Sequence, residues 1–221
     1  MKAMILAAGR GERLKPLTDH TPKPMLPVAG KPLIAHQLGW LRAAGITEVV
    51  INLHHLGEQI RAFCGDGEQF GVSIRYSHEE TLLETAGGIV NALPLLGSAP
   101  FVLLNGDIFT DFAFASLPDT PPSWADLHVV LTPTPAYRDH GDFEWRDGRI
   151  TRRGDDYVYC GIAVINPDWL APLAAQPASL QQPLFDAVAN GRVSAQVWNG
   201  EWTDIGTPAQ LKAINARLGE P

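Results

Sequence analysis

The sequence has little cysteine, no long apolar run and few basic residues, and each shortage excludes a class of protein. Its 221 residues include only two cysteines, Cys64 and Cys160, which are far apart and show no metal-binding spacing. We therefore expect two reduced thiols. No apolar run approaches transmembrane length, and Arg10 interrupts a short apolar run that is not typical of a signal peptide. We expect a cytoplasmic protein that does not bind membranes.

Positive charge is scarce overall and concentrated in one stretch. Lys and Arg number 17 against 24 Asp and Glu, which gives a net charge of −7 and a pI of about 5.4. An acidic chain of this kind is a poor candidate for binding nucleic acid through a basic face. Six of the 17 basic residues nevertheless fall within residues 2–31, so the positive charge is local.

The first half of the chain has the pattern of a parallel α/β sheet. Strands are predicted within residues 2–8, 47–53, 72–77 and 101–107, and helices within residues 32–45, 57–65 and 84–96. This alternating order is typical of a parallel sheet with helices on both faces. We expect an α/β fold with a Rossmann-like, mostly parallel sheet flanked by helices.

The second half is less regular and more antiparallel. Strands are predicted over residues 126–134 and 157–166, with a hairpin around Asp147-Gly148 and a second strand pair meeting near Asn199-Gly200. Thr207 suits the N-cap of a closing helix. Because 45% of the residues are hydrophobic and no linker is evident, we expect one domain over residues 1–221, with two halves that divide at about residue 110.

The segment LAAGRGERL, which leaves the first strand, predicts an anion site. Gly9 and Gly11 let backbone N–H groups approach an anion closely, and Arg13 and Lys23 can reach it from the same side. Taken alone, the two glycines would equally fit a tight turn with solvated charges. A dinucleotide fingerprint is excluded because Leu14 stands where a third glycine is needed, and no GK[ST] follows to make a Walker loop.

The longer segment LAAGRGERLKPLTDHTPKPMLP resembles the signature of the sugar-phosphate nucleotidyltransferases, LAAG-x-G-x-R-L followed by P-L-T and P-K-P. Three further segments resemble motifs of that family: ETAGG at 84–88, with Glu84 in place of the usual glycine, NGD at 105–107, and EWTDIGTPAQL at 201–211. The resemblance implies the nucleotide-diphospho-sugar transferase type of fold. It also implies transfer of a nucleotidyl group from a nucleoside triphosphate to a sugar 1-phosphate, with release of pyrophosphate.

The resemblance also implies a catalytic set. Arg13 is expected to bind the leaving phosphates, Lys23 the reacting phosphates, and Asp107 and Asp204 the cofactor Mg²⁺. Such roles are chemically reasonable, because charge neutralisation and positioning carry this reaction and Mg²⁺ takes one or two carboxylates. Without the family, Asp107 would be interpreted as a turn residue, Asp204 as a helix cap and Lys23 as a solvated lysine.

Two sets of binding residues follow from the resemblance. Nucleotide-binding residues are expected at Ala7, Ala8, Gly9, Gly11, Glu12, Arg13, Lys23, Glu80, Gly87 and Asn105. The segment HGDFEW resembles the one that backs the sugar ring in the family, which points to Gly141. A lysine with which family members often hold the sugar phosphate is missing from ITRRGDDYVYCG, so we expect Arg152 or Arg153 to replace it.

In its short length, its missing lysine and its overall sequence, the chain resembles members of the family that use UTP and N-acetylmuramate 1-phosphate in the recycling of cell-wall sugars, so we expect these substrates. Additional arginine charge would suit the lactyl carboxylate of that acceptor. Guanylyl transfer to mannose 1-phosphate and thymidylyl transfer to glucose 1-phosphate are the alternatives. An inactive regulatory subunit that senses nucleotide sugars is an alternative of another class, against which the presence of all four catalytic residues argues. The chain has none of the added elements that family tetramers use, so we expect a monomer.

Overall fold

The computed structural model describes residues 1–219, which form thirteen strands, five α-helices and six short 3₁₀ helices. The strands are β1 Lys2–Leu6, β2 Pro27–Val28, β3 Lys31–Pro32, β4 Glu48–Leu53, β5 Ser73–His78, β6 Phe101–Asn105, β7 Ile108–Thr110, β8 Leu127–Pro133, β9 Phe143–Arg146, β10 Arg149–Arg153, β11 Tyr157–Ile165, β12 Val193–Val197 and β13 Trp202–Asp204. The α-helices are α1 Leu33–Ala43, α2 Gly57–Cys64, α3 Glu84–Leu96, α4 Gln181–Ala189 and α5 Pro208–Arg217. The 3₁₀ helices are Glu12–Leu14, Leu17–Asp19, Lys23–Met25, Glu68–Phe70, Phe114–Ser116 and Pro167–Trp169.

One sheet of nine strands, in the order β5-β4-β1-β6-β11-β8-β12-β10-β9, runs through both halves of the chain. The pairs β5–β4, β4–β1 and β1–β6 are parallel, as the alternation of strands and helices predicts. From β6 onward the sheet becomes mixed, because β11 is antiparallel to both of its main neighbours. Strand β9 pairs with β10 and also with β11, so the last five strands curl into a closed ring. The predicted α/β fold class is confirmed.

Both faces of the parallel part are buried. Ile5, Ile51 and Leu104 pack into the cluster on one face, with no exposed surface. Met4 and Leu103 alternate with them and pack into the cluster on the other face, beneath α3 and α4. Strands covered on both faces must be apolar throughout, which is why they appear in the sequence as continuous apolar runs. None of the helices within residues 1–219 is long and apolar enough to cross a membrane.

The strand pair predicted near Asn199-Gly200 is wrong. Strand β12 lies in the main sheet beside β8, whereas β13 pairs with β7 in a separate two-stranded sheet. The segment between them is held by Asp111, whose Oδ1 accepts hydrogen bonds from Trp198 Nε1 at 3.0 Å and from the Glu201 N–H at 2.6 Å. Strands β12 and β13, although adjacent in sequence, therefore pair with other strands and not with each other.

Other local predictions are correct. The hairpin around Asp147-Gly148 joins β9 and β10. Helix α5 begins after Thr207, whose hydroxyl accepts from the Gln210 N–H, and Pro208 occupies the first helical position. Helix α4 was not predicted; Pro183 lies in its first turn, where proline costs little.

Candidate active site

A cavity of about 340 Å³ lies where β1 and β6 end. Its walls include the segment that follows β1 and the turn that follows β6, the edge at which open α/β sheets bind their ligands. Among the residues predicted to bind the nucleotide, six line this cavity: Ala7, Ala8, Gly9, Gly11, Lys23 and Asn105. The predicted metal ligand Asp107 lines it as well.

The basic segment that follows β1 forms three short 3₁₀ helices, Glu12–Leu14, Leu17–Asp19 and Lys23–Met25. Gly11 adopts φ +64°, and a Cβ there would lie 2.8 Å from Thr18 Cγ2, so a side chain would be both strained and crowded. The Thr18 hydroxyl donates to the Gly11 carbonyl at 2.9 Å and closes the loop. Pro22 and Pro24 flank Lys23, which begins the third of these helices. The segment therefore presents Lys23 to the cavity from a backbone that cannot extend into an α-helix.

Lys23 and Asp107 form an ion pair at the cavity wall. Lys23 Nζ lies 2.6 Å from Asp107 Oδ2, and the two side chains are 15% and 28% exposed. Asp107 occupies the turn between β6 and β7, directly after Gly106. A Cβ on Gly106 would lie 2.2 Å from the Leu6 carbonyl oxygen, which accepts from the Gly106 N–H at 3.0 Å. Glycine at position 106 thus allows β1 and the turn to approach closely enough to align the aspartate.

The small sheet of β7 and β13 brings the segment of the second predicted metal ligand, Asp204, next to Asp107, although Asp204 itself does not line the cavity. Asp204 is opposite Ile108 in the ladder, and the Ile205 N–H donates to the Asp107 carbonyl at 2.7 Å. Asp107, in the turn just before β7, is therefore one residue away from Ile108, the ladder partner of Asp204. The Arg13 guanidinium lies beside the backbone of this segment, because a Cβ on Gly206 would come within 2.7 Å of Arg13 Nη2.

Both carboxylate oxygens of Asp204 accept hydrogen bonds from neighbouring side chains. Its Oδ2 accepts from Arg138 Nη2 at 2.7 Å, and its Oδ1 accepts from the Tyr137 hydroxyl at 3.1 Å and from Gln210 Nε2 at 3.0 Å. Gln210 belongs to the cap of α5, where its Oε1 accepts from the Gly206 N–H. Each aspartate thus faces one cation, Lys23 on Asp107 and Arg138 on Asp204.

A buried polar network supports the cavity wall at Ala7 and before α3. Asn52 and Glu79 are only 2% and 5% exposed. Asn52 Oδ1 accepts from the Ala7 N–H at 2.7 Å, and Asn52 Nδ2 donates to Glu79 Oε1 at 2.7 Å. The other Glu79 oxygen accepts from the Leu83 N–H, just before α3. Glu80, which the sequence predicted to bind the base, is exposed and does not line the cavity; its neighbour Glu79 holds the wall in place.

Besides Glu80 and Arg13, two further residues predicted to bind the nucleotide lie outside the cavity lining. Gly87 is buried in α3, where a Cβ would lie 2.1 Å from the Gln176 carbonyl oxygen, so this glycine lets the chain before α4 pack against the helix. Glu12 is exposed and pairs with Lys15 at 2.8 Å, and the hydrogen bond from that ammonium lowers the pKa of Glu12. Glu84, which replaces the expected glycine, lines the cavity at φ +58°, a conformation that favours glycine.

The predicted sugar-phosphate residues lie away from the cavity lining. Gly141 packs closely, since a Cβ would lie 2.5 Å from Thr134 Oγ1. Arg152 is 73% exposed and pairs with Glu144 at 2.7 Å, which lowers the pKa of Glu144. Arg153 stacks over the Phe185 ring at 4.1 Å. The structure therefore brings neither arginine to the pair of aspartates.

Sequence reasoning missed Arg138, Tyr137 and Gln210 as partners of Asp204, and Asn52 and Glu79 as supports of the cavity. Gln210 carried a signal, because Thr207 followed by glutamine three residues later is the pattern of a capping box. The others carried none, since their contacts join segments far apart in the chain.

Comparison with known proteins assigns the family. The nucleotidyl transferase family model matches residues 2–137. The chain is 44% identical to N-acetylmuramate alpha-1-phosphate uridylyltransferase of Neisseria meningitidis, with 99% of each chain covered. It is 36% identical to the enzyme of the same name in Caulobacter vibrioides, over 99% of this chain and 97% of that one. A Bacillus anthracis crystal structure described as a glucose-1-phosphate thymidylyltransferase shares the fold, with a TM-score of 0.84, 24% identity and coverage of 98% and 94%. The chain belongs to the nucleotidyl transferase family of sugar-phosphate nucleotidyltransferases.

Proposed function

We propose that the protein transfers a uridylyl group from UTP to N-acetylmuramate 1-phosphate and releases pyrophosphate, in the recycling of cell-wall sugars. The observation that carries this proposal is the Lys23–Asp107 pair, set at the wall of a glycine-lined cavity and joined by the β7–β13 ladder to Asp204. The choice of substrates rests on the similarity to the uridylyltransferases of N. meningitidis and C. vibrioides.

The reaction is an in-line displacement at the α-phosphorus. An oxygen of the sugar phosphate forms the new P–O bond, while the bond to the β-phosphate breaks and its electron pair leaves with pyrophosphate. No protein nucleophile is required, because positioning and charge neutralisation supply most of the acceleration. Lys23 would bind the reacting phosphates as a compact charge, and the Arg13 guanidinium would bind the leaving phosphates through its planar fork.

The two aspartates fit a magnesium ion that arrives with the nucleotide. Within residues 1–219 no cluster of three or more His, Cys, Asp or Glu side chains could hold a metal by itself. Mg²⁺ usually takes one or two protein carboxylates and completes its shell with phosphate oxygens and water. Asp107 and Asp204 would provide those carboxylates, and each is at present balanced by a cation. When bound, the ion supplies charge neutralisation to the phosphates.

The remainder of the cavity suits a nucleoside. Its lining also includes Asn105, Leu82, Thr85 and Ala7, whose N–H donates to Asn52. Uracil and thymine differ by one methyl group, which a pocket of this kind discriminates by only about 1–3 kcal/mol. For the acceptor, we retain Arg152 and Arg153 as candidates for binding the lactyl carboxylate. The cytoplasmic location and the monomeric state also stay predictions.

A pyrophosphate-release assay with four nucleoside triphosphates against a panel of sugar 1-phosphates tests the proposal. We expect the highest kcat/KM for UTP with N-acetylmuramate 1-phosphate. Higher kcat/KM values for GTP with mannose 1-phosphate, or for dTTP with glucose 1-phosphate, would change the proposed substrates but leave the proposed type of reaction unchanged. If nucleotide sugars bind but no pair is turned over, the protein is a sensing subunit and the proposal is wrong.

The arginine candidates have their own test. Arg152→Ala and Arg153→Ala are assayed for the KM of the acceptor. An unchanged acceptor KM in both variants would contradict their role in binding the lactyl carboxylate.

A further inference from the structure

Arg138 is a cation at the predicted reaction centre to which neither the sequence motifs nor the proposed reaction assigns a role. We propose that Arg138 binds the phosphate of the sugar 1-phosphate, and that it exchanges its partner Asp204 for that phosphate when the substrates bind. Arg138 would thus take the place of the lysine that the sequence lacks. This inference rests on the proposed function.

The contacts of Arg138 place it beside the predicted metal ligands. Its Nη2 lies 2.7 Å from Asp204 Oδ2, and its guanidinium lies over the Trp202 ring, 5.6 Å from the centroid. Asp204 in turn is opposite Ile108, the residue after Asp107, and Asp107 holds Lys23. The chain of contacts therefore runs from Arg138 through both aspartates to the lysine at the cavity wall. The phosphate that attacks the α-phosphorus must arrive at this place.

The geometry of Arg138 permits an exchange of partners. Its side chain is 30% exposed, and it projects from the loop between β8 and β9, where the Arg138 N–H closes a turn on the Pro135 carbonyl. A phosphate oxygen can accept the same charge-assisted hydrogen bond that Asp204 gives up, so the change of partner costs little. The Trp202 ring can keep the guanidinium oriented through its face while the carboxylate is released.

Arg138 and Mg²⁺ would compete for the carboxylate of Asp204. Asp107 and Asp204 would hold Mg²⁺ through their carboxylates, and the Arg138 guanidinium would then be available to a new partner. A sugar phosphate provides a new one, and the planar fork of arginine fits two of its oxygens. Donor and acceptor phosphates are both anionic, so a further cation on the acceptor side is needed to bring them together.

The other arginines of this half are less suitable for the phosphate. Arg152 already has a carboxylate partner in Glu144 and lies on β10, not beside Asp204. Arg153 also lies on β10, and its guanidinium covers the Phe185 ring. Arg138 is the arginine that contacts a predicted metal ligand through a hydrogen bond, among the contacts within residues 1–219.

Arg138→Gln tests the proposal, because two measurements are expected to move in opposite directions. In the complex with a non-hydrolysable nucleotide but without the sugar 1-phosphate, removal of the competing cation should tighten binding of Mn²⁺, followed by electron paramagnetic resonance, by about 3- to 10-fold. In the steady state, the KM for the sugar 1-phosphate should rise by about 10-fold or more, because a charge-assisted hydrogen bond to phosphate is lost. The KM for the nucleotide should stay within about 3-fold, and Arg138→Lys should recover part of the loss.

Arg192→Gln is the matched control, because Arg192 also pairs with an aspartate, Asp126, but lies outside the site. It should leave both quantities unchanged. If Arg138 merely held Asp204 in place, Arg138→Gln would weaken Mn²⁺ binding, and this result would overturn the proposal, as would an unchanged acceptor KM. Should the wild type turn over no pair, the proposed function fails. Calorimetric titration of a sugar 1-phosphate into the complex with a non-hydrolysable nucleotide then decides the role of Arg138 independently, by whether Arg138→Gln weakens that binding.

Discussion

The donor side and the acceptor side of the site are built differently. We call donor side the cavity at the ends of β1 and β6, and acceptor side the loop at residues 134–142 with the β9–β10 hairpin. The donor side rests on buried polar groups with fixed partners, such as Asn52 at 2% and Glu79 at 5% exposure. On the acceptor side, Arg152 is 73% exposed and Arg138 is 30% exposed.

This difference has energetic consequences. A buried hydrogen-bonded group cannot leave its partner without a large desolvation penalty, so the donor side is rigid before any ligand arrives. An exposed ion pair such as Arg152–Glu144 contributes between about zero and 1 kcal/mol, so this pair of the acceptor side can rearrange around a ligand. We infer that the buried network of the donor side is formed before the triphosphate binds, whereas the ion pairs Lys23–Asp107 and Arg138–Asp204 change partners when the substrates bind.

The largest effect is expected from Asp107→Asn. The substitution removes the charge that faces Lys23 and one of the two proposed metal ligands. We expect kcat/KM in the pyrophosphate-release assay to fall by at least about 100-fold, with little change in the melting temperature, because the side chain is partly exposed. Asp119→Asn, at an exposed site, is the control and should be neutral. Comparable activity in the two variants would remove Asp107 from the reaction.

Gly106→Ala tests whether the donor side is as tightly built as the geometry indicates. The added Cβ would meet the Leu6 carbonyl oxygen at 2.2 Å, so β1 and the turn must separate. We expect the free energy of unfolding to fall by about 1–3 kcal/mol, measured by urea denaturation. Gly39→Ala in α1 is the matched control, because nothing lies within 4 Å of its added Cβ; it should gain about 0.5–1 kcal/mol. Equal effects of the two substitutions would contradict a close-packed donor side.

Glu79→Gln and Glu80→Gln separate two glutamates that are neighbours in sequence. Both Glu79 oxygens accept hydrogen bonds, from Asn52 and from the Leu83 N–H, so an amide nitrogen must face one of the two donors. We expect a loss of about 1–3 kcal/mol in unfolding free energy and a several-fold rise in nucleotide KM. Glu80→Gln should stay within about 0.5 kcal/mol. A larger effect at Glu80 than at Glu79 would restore the sequence-based assignment of the base site.

These glutamates also show where sequence-based prediction ends. The parallel strands could be predicted because each carries its own apolar signal, and the motif around Lys23 was long enough to indicate the family. The choice between Glu79 and Glu80 depends on which of two adjacent side chains turns inward after β5, and no local pattern decides that.

The contacts of Asp204 illustrate the same limit over longer distances. Arg138 is 66 residues away in the chain, and the two meet only because β13 leaves the main sheet to pair with β7. The local sequence around Asn199 and Gly200 is typical of a hairpin, so it predicted a wrong partner for β13. Residues whose role depends on such non-local pairing cannot be found by motif or periodicity.

The smallest effect is expected at Glu84, a residue of the donor side with a strained backbone conformation. Glu84 adopts φ +58° at the start of α3 and lines the cavity, although a left-handed conformation costs a non-glycine residue about 1–2 kcal/mol. The acidic side chain is favourable at a helix N-terminus, but that gain is smaller than the strain. Strain that persists in a binding cavity is typical of a residue retained for a function.

Glu84→Gly and Glu84→Ala distinguish the strain from the carboxylate, because both remove the charge but only glycine relaxes the backbone. Glu84→Gly should gain about 0.5–1 kcal/mol in unfolding free energy, since the relief of strain exceeds the added entropy of the unfolded chain. Glu84→Ala should gain nothing. If both variants raise the nucleotide KM equally, the carboxylate contacts the nucleotide and the strain is retained for its sake. If neither changes the KM, the donor side carries strain without a binding role, and its rigidity comes from the Asn52–Glu79 network alone.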